Sequence, residues 1–384
     1  MHIIRPAHHD DLDILLKLAK TVHFINLPAD KDIIAEKISR SRASFRSALL
    51  AEPFVSGTGD RSAVKNSPLF MFVLADAETN TCHGTSMIVA KMGQPGSPNV
   101  SFELRRREFF SQDLQVGSTH ITAKLYLDES GPSEIGGLIV GPSLRRHPEK
   151  LGKQIALIRF HFMGLFPEQF SDHILAEMMA PITPDGRNTF WEHLGRKFIN
   201  LPYAEADRFC QYSREFMTSL LPREEIYLSL LPAEARQGVA QVGRDTVPAR
   251  KMLEALGFKY TNRIDPFDGG PHLECDTRDI TLVRDTARAV YQGTCPASQA
   301  KRAGFVSVTT DEGDFIAVHA PYAQTTGAKG GVRLPREYAD ALRLAPGAPV
   351  GITPLDLHAP MAPEPGPKSK PAAAPTRRRR PAEV

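Results

Sequence analysis

No run of apolar residues in this 384-residue chain approaches the roughly 20 needed to cross a bilayer, so no helical membrane span is expected. The opening MHIIRPAHHDD has no apolar stretch of the secretory kind and turns acidic at once, which predicts a cytoplasmic protein. Cysteine is scarce. Cys82, Cys210, Cys275 and Cys295 are widely scattered, which excludes a disulfide framework and a paired-cysteine metal site and leaves four reduced thiols. His8, His9 and His147 have no metal-ligand spacing with other donors, and no metal is expected.

A surplus of positive charge is also missing from most of the chain. Residues 359–384 carry six cations against two carboxylates, so of the net charge of +3 the remaining residues contribute −1. Nucleic-acid binding by the body therefore finds no support in charge. The tail itself has seven prolines and too few apolar residues to bury a core, and it reads as disordered. Arg377 to Arg380 offer a contact to RNA, DNA or an acidic partner, with a solubilising tail as the simpler reading. What is present is ordinary for a globular protein, with 41% hydrophobic and 24% charged residues and length enough for one large domain or two smaller ones.

The most informative stretch is 133–163, SEIGGLIVGPSLRRHPEKLGKQIALIRFHFM. Ile135 to Val140 is apolar and β-branched around a Gly pair, predicting a buried strand with a bend or bulge. From Gly152 to Met163 the apolar positions are too many for a surface helix, which predicts a helix with a broad buried face. Between them lies a basic loop with Arg145, Arg146, His147 and Lys150. Free N–H groups and the positive dipole end of a helix start, with these cations, form a candidate cradle for a pyrophosphate. An ordinary βα unit with a solvated loop reads the same way.

Along the chain, a strand at His2–Arg5 precedes the helix LDILLKLAK, and a second helix runs from Ile33 towards Leu50. A polar loop at 57–67 leads to strands at Leu69–Ala75 and Thr85–Ala90, then Phe102–Phe110 and His120–Leu127. His173–Met179 is strand-like, a short helix ends at Gly195, and 203–237 is helical in pieces. Val239–Val242 reads as a strand before the helix Pro248–Leu256, and the strand-like FKYTNRIDPF ends in a DGG turn. Short strands after Phe305 surround the helix PREYADALRL. The expected division is 1–200, 201–290, a β-rich appendage at 291–357 and the tail 358–384. The fold class is α/β (α+β), with two related α/β halves.

The stretches IIRPAHHDDLDILLKLA, NLPADKDIIAEKI, SEIGGLIVGPSLR, RFHFM, FWEHLGRKF, TVPARKMLEALGF and DPFDGGPHLEC, in this order, resemble the arginine N-succinyltransferase family. These are GNAT-like acyl-CoA transferases that open the succinyl-transfer route of arginine degradation in bacteria. The resemblance implies a GNAT-like N-acyltransferase fold and transfer of a succinyl group from CoA to the α-amine of arginine or a related amino acid. Joined to the candidate pyrophosphate cradle, it places succinyl-CoA at Leu138, Ile139, Val140, Arg145, Arg146 and Gly152. Leu138 matches a family position associated with succinyl-CoA, and homo- or hetero-oligomers are implied.

Where the family carries a histidine before the TxPAR segment, this chain has Gly243, and no histidine occurs between His193 and His272. Three residues are candidates for proton transfer or orientation of the amine. Asp245 is either a base acting through water or the cap of the following helix. His272 is either a replacement imidazole or an incidental turn residue. Glu134 either orients the substrate or pairs with a surface cation. Asp268, with Gly269 and Gly270, reads as a turn. A non-catalytic binding or regulatory paralogue, and an N-acyltransferase with another donor or amine, are the alternative readings.

Overall fold

In a computed structural model the chain is described over residues 1–21, 27–55, 66–183, 186–310, 313–325 and 331–358. Most of the expected loop at 57–67 and the expected tail lie outside these residues. The strands are β1 (His2–Pro6), β2 (Leu69–Asp76), β3 (Cys82–Val89), β4 (Asn99–Ser111), β5 (Val116–Asp128), β6 (Ser133–Val140), β7 (His173–Glu177), β8 (Ile226–Tyr227), β9 (Lys259–Ile264), β10 (Pro271–Asp276), β11 (Ala287–Thr294), β12 (Arg302–Thr309), β13 (Phe315–Thr325), β14 (Gly331–Leu334) and β15 (Pro349–Pro354). Their order is β12-β15-β11-β14-β13-β1-β2-β3-β6-β7-β10-β9-β4-β5-β8. Among the described residues the pairings are antiparallel except β6–β7 and β11–β14. A further β12–β13 pairing closes the last five strands into a small barrel, joined to β1 at Ile4 and Ala317.

Helix α1 (Leu12–Ala19) and the first half of α2 (Lys31–Leu50) bury Leu15, Leu18, Ile34 and Ile38 against Met71 and Val73. The start of α2 is fixed by Asp30, whose carboxylate accepts from the amides of Asp32 and Ile33. Where β1 stops short, the open edge of β2 is covered by α2. The Met71 amide donates to the Ser41 hydroxyl at 2.8 Å and the Leu69 amide to that of Ser44 at 2.9 Å.

Helix α3 (Leu151–Leu165) is buried along most of its length, as its sequence predicts. One side packs on Ile88, Ile135 and Ile174 of the sheet, the other on Phe305 and Phe315 of the barrel. Full burial of side chains such as Phe160 and Phe162 stabilises the fold by roughly 1.5–3 kcal/mol each. His161 lies within hydrogen-bond distance of Ser307 and Thr353 of the barrel, and burial drops its pKa to about 3, so the ring is neutral. A separate core around Trp191, Phe267 and Phe102 closes the other end of the sheet.

Local expectations fail at a few points. The helix after Phe190 does not stop at Gly195 but continues to Phe198. That glycine makes room: an added Cβ would stand 2.3 Å from the Trp191 ring, which stacks on Phe267. Val239–Val242 is not a strand, because Ala240 takes φ 58°, outside any extended conformation. Strands β11 and β14 are additional to those expected. Strands β9 and β10 pair with β4 and β7 of the earlier chain.

Candidate active site

The site is built where β6 and β7 part. These parallel neighbours pair only at Ser133 with Ile174 and Glu134 with Leu175, so beyond Glu134 the β6 edge facing β7 is open. Next to this opening β6 carries one extra residue against β3, between the Gly136–Met87 and Ile139–Thr85 pairs. Gly137 makes the bulge possible with φ 57°, and a Cβ there would stand 2.1 Å from Met87 Cε. The Gly pair noted in the sequence is therefore a bulge against β3, beside the β6 edge that has no pairing to β7 after Glu134.

At the far end of β6 the chain passes Arg145 and Arg146 and enters α3 at Leu151. Both arginines are exposed. Arg146 (φ 67°) and Lys150 (φ 55°) hold the left-handed conformation that non-glycine residues avoid, and Lys150 caps α3 without a side-chain bond. Gly152 is exposed with open space where a Cβ would stand. The helix start thus faces solvent with its first amides and nearby cations, a geometry suited to phosphate. Of the expected contact residues, Leu138 and Val140 pack towards α3, whereas Ile139 turns to the α1–α2 side.

The opposite face of β6, β7 and β10 carries a buried charged cluster. Glu134 is 1% exposed and His272 1%. His272 lies on β10 opposite Glu177 of β7, so it is a buried strand residue and not a turn residue. Its Nε2 is 3.8 Å from Glu177 Oε1 and has no hydrogen-bond partner among the described residues. Burial lowers its pKa, outweighing Glu177, so the imidazole is neutral. Glu177, Asp265 and His272 bring their donor atoms within 4.8 Å of one another. The countercharge beside them is Arg214, which donates to Asn99, while Asn99 donates to Glu177. Burial works against the Arg214 cation, yet Glu177, Cys210, Glu134 and Asp265 raise its pKa overall.

Further carboxyls surround this cluster. Burial, with Asp268, lifts Asp207 to about 7, and burial lifts Asp268 to about 6 despite amide bonds from Ala180 and Gly270. Burial and Asp268 raise Asp265 well above the usual carboxylate range. Lys37 of α2 is lowered by burial to about 8, with Glu134 among the groups opposing the shift. Acid, base and cation thus sit together out of water, the environment in which titratable groups carry chemistry.

Asp268 has the turn role read from the sequence: it accepts from Gly270 and Ala180 at 2.7 and 2.8 Å, and Gly269 has φ 78°. Asp245 is exposed, and the cap of the following helix Val247–Ala255 is Thr246, one residue later. Glu134 and His272, by contrast, converge on Arg214. Glu177, Asp265, Asp207, Asn99 and Arg214 were not singled out in the sequence. Their signal there is faint, a charged residue at the end of an apolar run such as ILAE or NRID.

A parallel strand pair that opens beside a glycine bulge, with a helix start at its far end, defines a GNAT-like transferase fold. Comparison with known proteins narrows this. Residues 2–282 match the family described as arginine N-succinyltransferase beta subunit. The arginine N-succinyltransferases of Escherichia coli K12 strain DH10B and O157:H7 strain EC4115 are each 32% identical over 287 residues, 74% of this chain and 78% of theirs. The arginine/ornithine succinyltransferase subunit AI of Pseudomonas aeruginosa superposes with a TM-score of 0.73 at 28% identity, over 92% of this chain and 98% of that one. The chain belongs to the arginine N-succinyltransferase family and is a transferase. The non-catalytic reading gains no support from these relatives. Among the described residues no helix is long and apolar enough to cross a membrane.

Proposed function

We propose that the chain transfers a succinyl group from succinyl-CoA to the α-amine of arginine or a similar basic amino acid. The observation that carries this is the opening between β6 and β7, with unpaired main chain on one side of it and a buried acid cluster on the other. The pantetheine arm lies along Leu138 to Val140, and the pyrophosphate rests at the α3 start near Arg145, Arg146 and Gly152. An amide at the bulge polarises the thioester carbonyl. Glu134 and Glu177 orient the cationic acceptor, and neutral His272 takes the proton as the amine nitrogen attacks and the C–S bond breaks. Asp245, exposed near Gly243, is the second candidate base. Assembly with a second copy or a related chain belongs to the same reading, since the solved relative is named a subunit.

A thiol-release assay with succinyl-CoA and acetyl-CoA against arginine, ornithine and lysine tests the proposal. The expected result is turnover with succinyl-CoA and a basic amino acid. Absence of CoA release with every pair, from a folded chain that binds CoA, overturns it.

A further inference from the structure

Arg159 of α3 stands apart from the other buried cations among the described residues. Arg5 is paired with Asp11, Arg40 and Lys37 have Glu36 near them, and Arg214 faces Glu177. Arg159 is 3% exposed, and no carboxylate lies within ion-pair distance of it among the described residues. Its Nε donates to Ala156 O of its own helix at 2.8 Å, and Nη1 to Gly136 O at 3.4 Å. A guanidinium has five N–H groups, so three are left without a bond among the described residues. Burial alone lowers its pKa to about 9, still well above neutrality, so the cation persists. Burying a charge without a counter-ion is costly, and the residue's place explains why a fold would hold it. Gly136 is two residues past the last β6–β7 pair and adjoins the Gly137 bulge, at the mouth of the opening.

We propose that Arg159 binds a carboxylate at the far end of the acyl group, so that the opening selects acyl thioesters of dicarboxylic acids over plain fatty acyl groups. This rests on the reading of the β6–β7 opening as the thioester site. With the thioester carbonyl at the bulge amides, the acyl group starts beside the guanidinium that bonds Gly136 O. The free N–H fork matches a carboxylate in bidentate geometry, and the buried setting strengthens the pair. Arg159 is a specificity-determining residue and takes no part in the bond exchange.

The test is equilibrium binding, without acceptor, of succinyl-CoA, butyryl-CoA and free CoA to the full chain. Succinyl and butyryl have the same carbon count and differ in the terminal carboxylate. The wild type is expected to prefer succinyl-CoA by about 10- to 100-fold, the range of a charge-assisted hydrogen-bonded pair. Arg159→Met should abolish the preference with free CoA affinity unchanged, and Arg159→Lys should retain part of it. Equal affinity of the wild type for the two thioesters, or a preference that survives Arg159→Met, overturns the assignment. Should Arg159→Met fail to fold, the wild-type comparison and Arg159→Lys decide. Selective binding of succinyl-CoA without transfer to any basic amino acid would refute the proposed acceptor and leave Arg159 in place. Transfer with no discrimination between thioesters would do the reverse.

Discussion

The amide of Gly243 donates to the carbonyl of Met179 at 2.9 Å, which ties the segment before the helix Val247–Ala255 to the chain just beyond β7. Gly243 is the position at which the family resemblance places a histidine. A Cβ there would stand 3.1 Å from Ala180 O, so a side chain fits after a small shift. With His272 as the base, Gly243→His should change kcat with succinyl-CoA and arginine by less than about tenfold. A rise of about 10²–10⁴-fold, the usual contribution of a general base, would show instead that position 243 holds a vacated base site.

His272 and Glu134 carry the opposite expectation. His272→Gln should lower kcat by about 10²–10⁴-fold with little change in free CoA affinity, and Asp245→Asn should leave kcat within a few-fold. The pH profile provides the sharper reading. Because burial lowers the His272 pKa, the wild-type rate should fall only on the acid side of 6.5, as the imidazole protonates. That limb should vanish in the slow residual activity of His272→Gln; its persistence would assign the base elsewhere. Glu134→Gln should act mainly on the acceptor KM.

The basic loop gives a prediction in which affinity and stability move separately. Arg146→Gly removes a charge and relaxes φ 67°, so thermal stability should hold or rise. Combined with Arg145→Ala, it should weaken CoA binding, with a larger loss at low salt where exposed charges are least screened. Unchanged CoA affinity across salt concentrations would place the pyrophosphate elsewhere.

Asp207 links the cluster to stability. Its carboxyl is raised from 3.8 to about 7 in the fold, so the fold favours the protonated form. This contribution is fully present below about pH 4 and is lost as pH rises through 7. Asp207→Asn should therefore flatten the decline of unfolding free energy between pH 5 and 8, measured by denaturant titration. An equally steep decline in the variant would contradict the assignment.

The parts of the fold that were legible in the sequence are those with strong periodicity or chain-breaking residues. Leu69–Ala75, the helix from Ile33 and the strand–loop–helix at 133–163 all stand where their apolar spacing puts them. Gly195 misled because a glycine kept small by a neighbouring ring looks the same in sequence as one that ends a helix. The bulge and basic loop could be read locally, since strand, loop and helix are contiguous. The acid cluster could not. Glu134, Glu177, Arg214, Asp265 and His272 span some 140 residues and meet only through the order β6-β7-β10 and the packing of the helix containing Glu215 beside it. Arg159 was hidden for a related reason, because an arginine in an apolar helix shows its missing counter-ion only once the fold is known.

The central claim is tested most directly by identifying the product of wild-type chain, succinyl-CoA and arginine by mass spectrometry while following CoA release. The account predicts one free CoA per arginine converted, with a single succinyl group on the α-nitrogen and a protein-dependent rate. Succinyl-CoA hydrolysed without any succinylated arginine, or a product succinylated on the guanidinium, would contradict it.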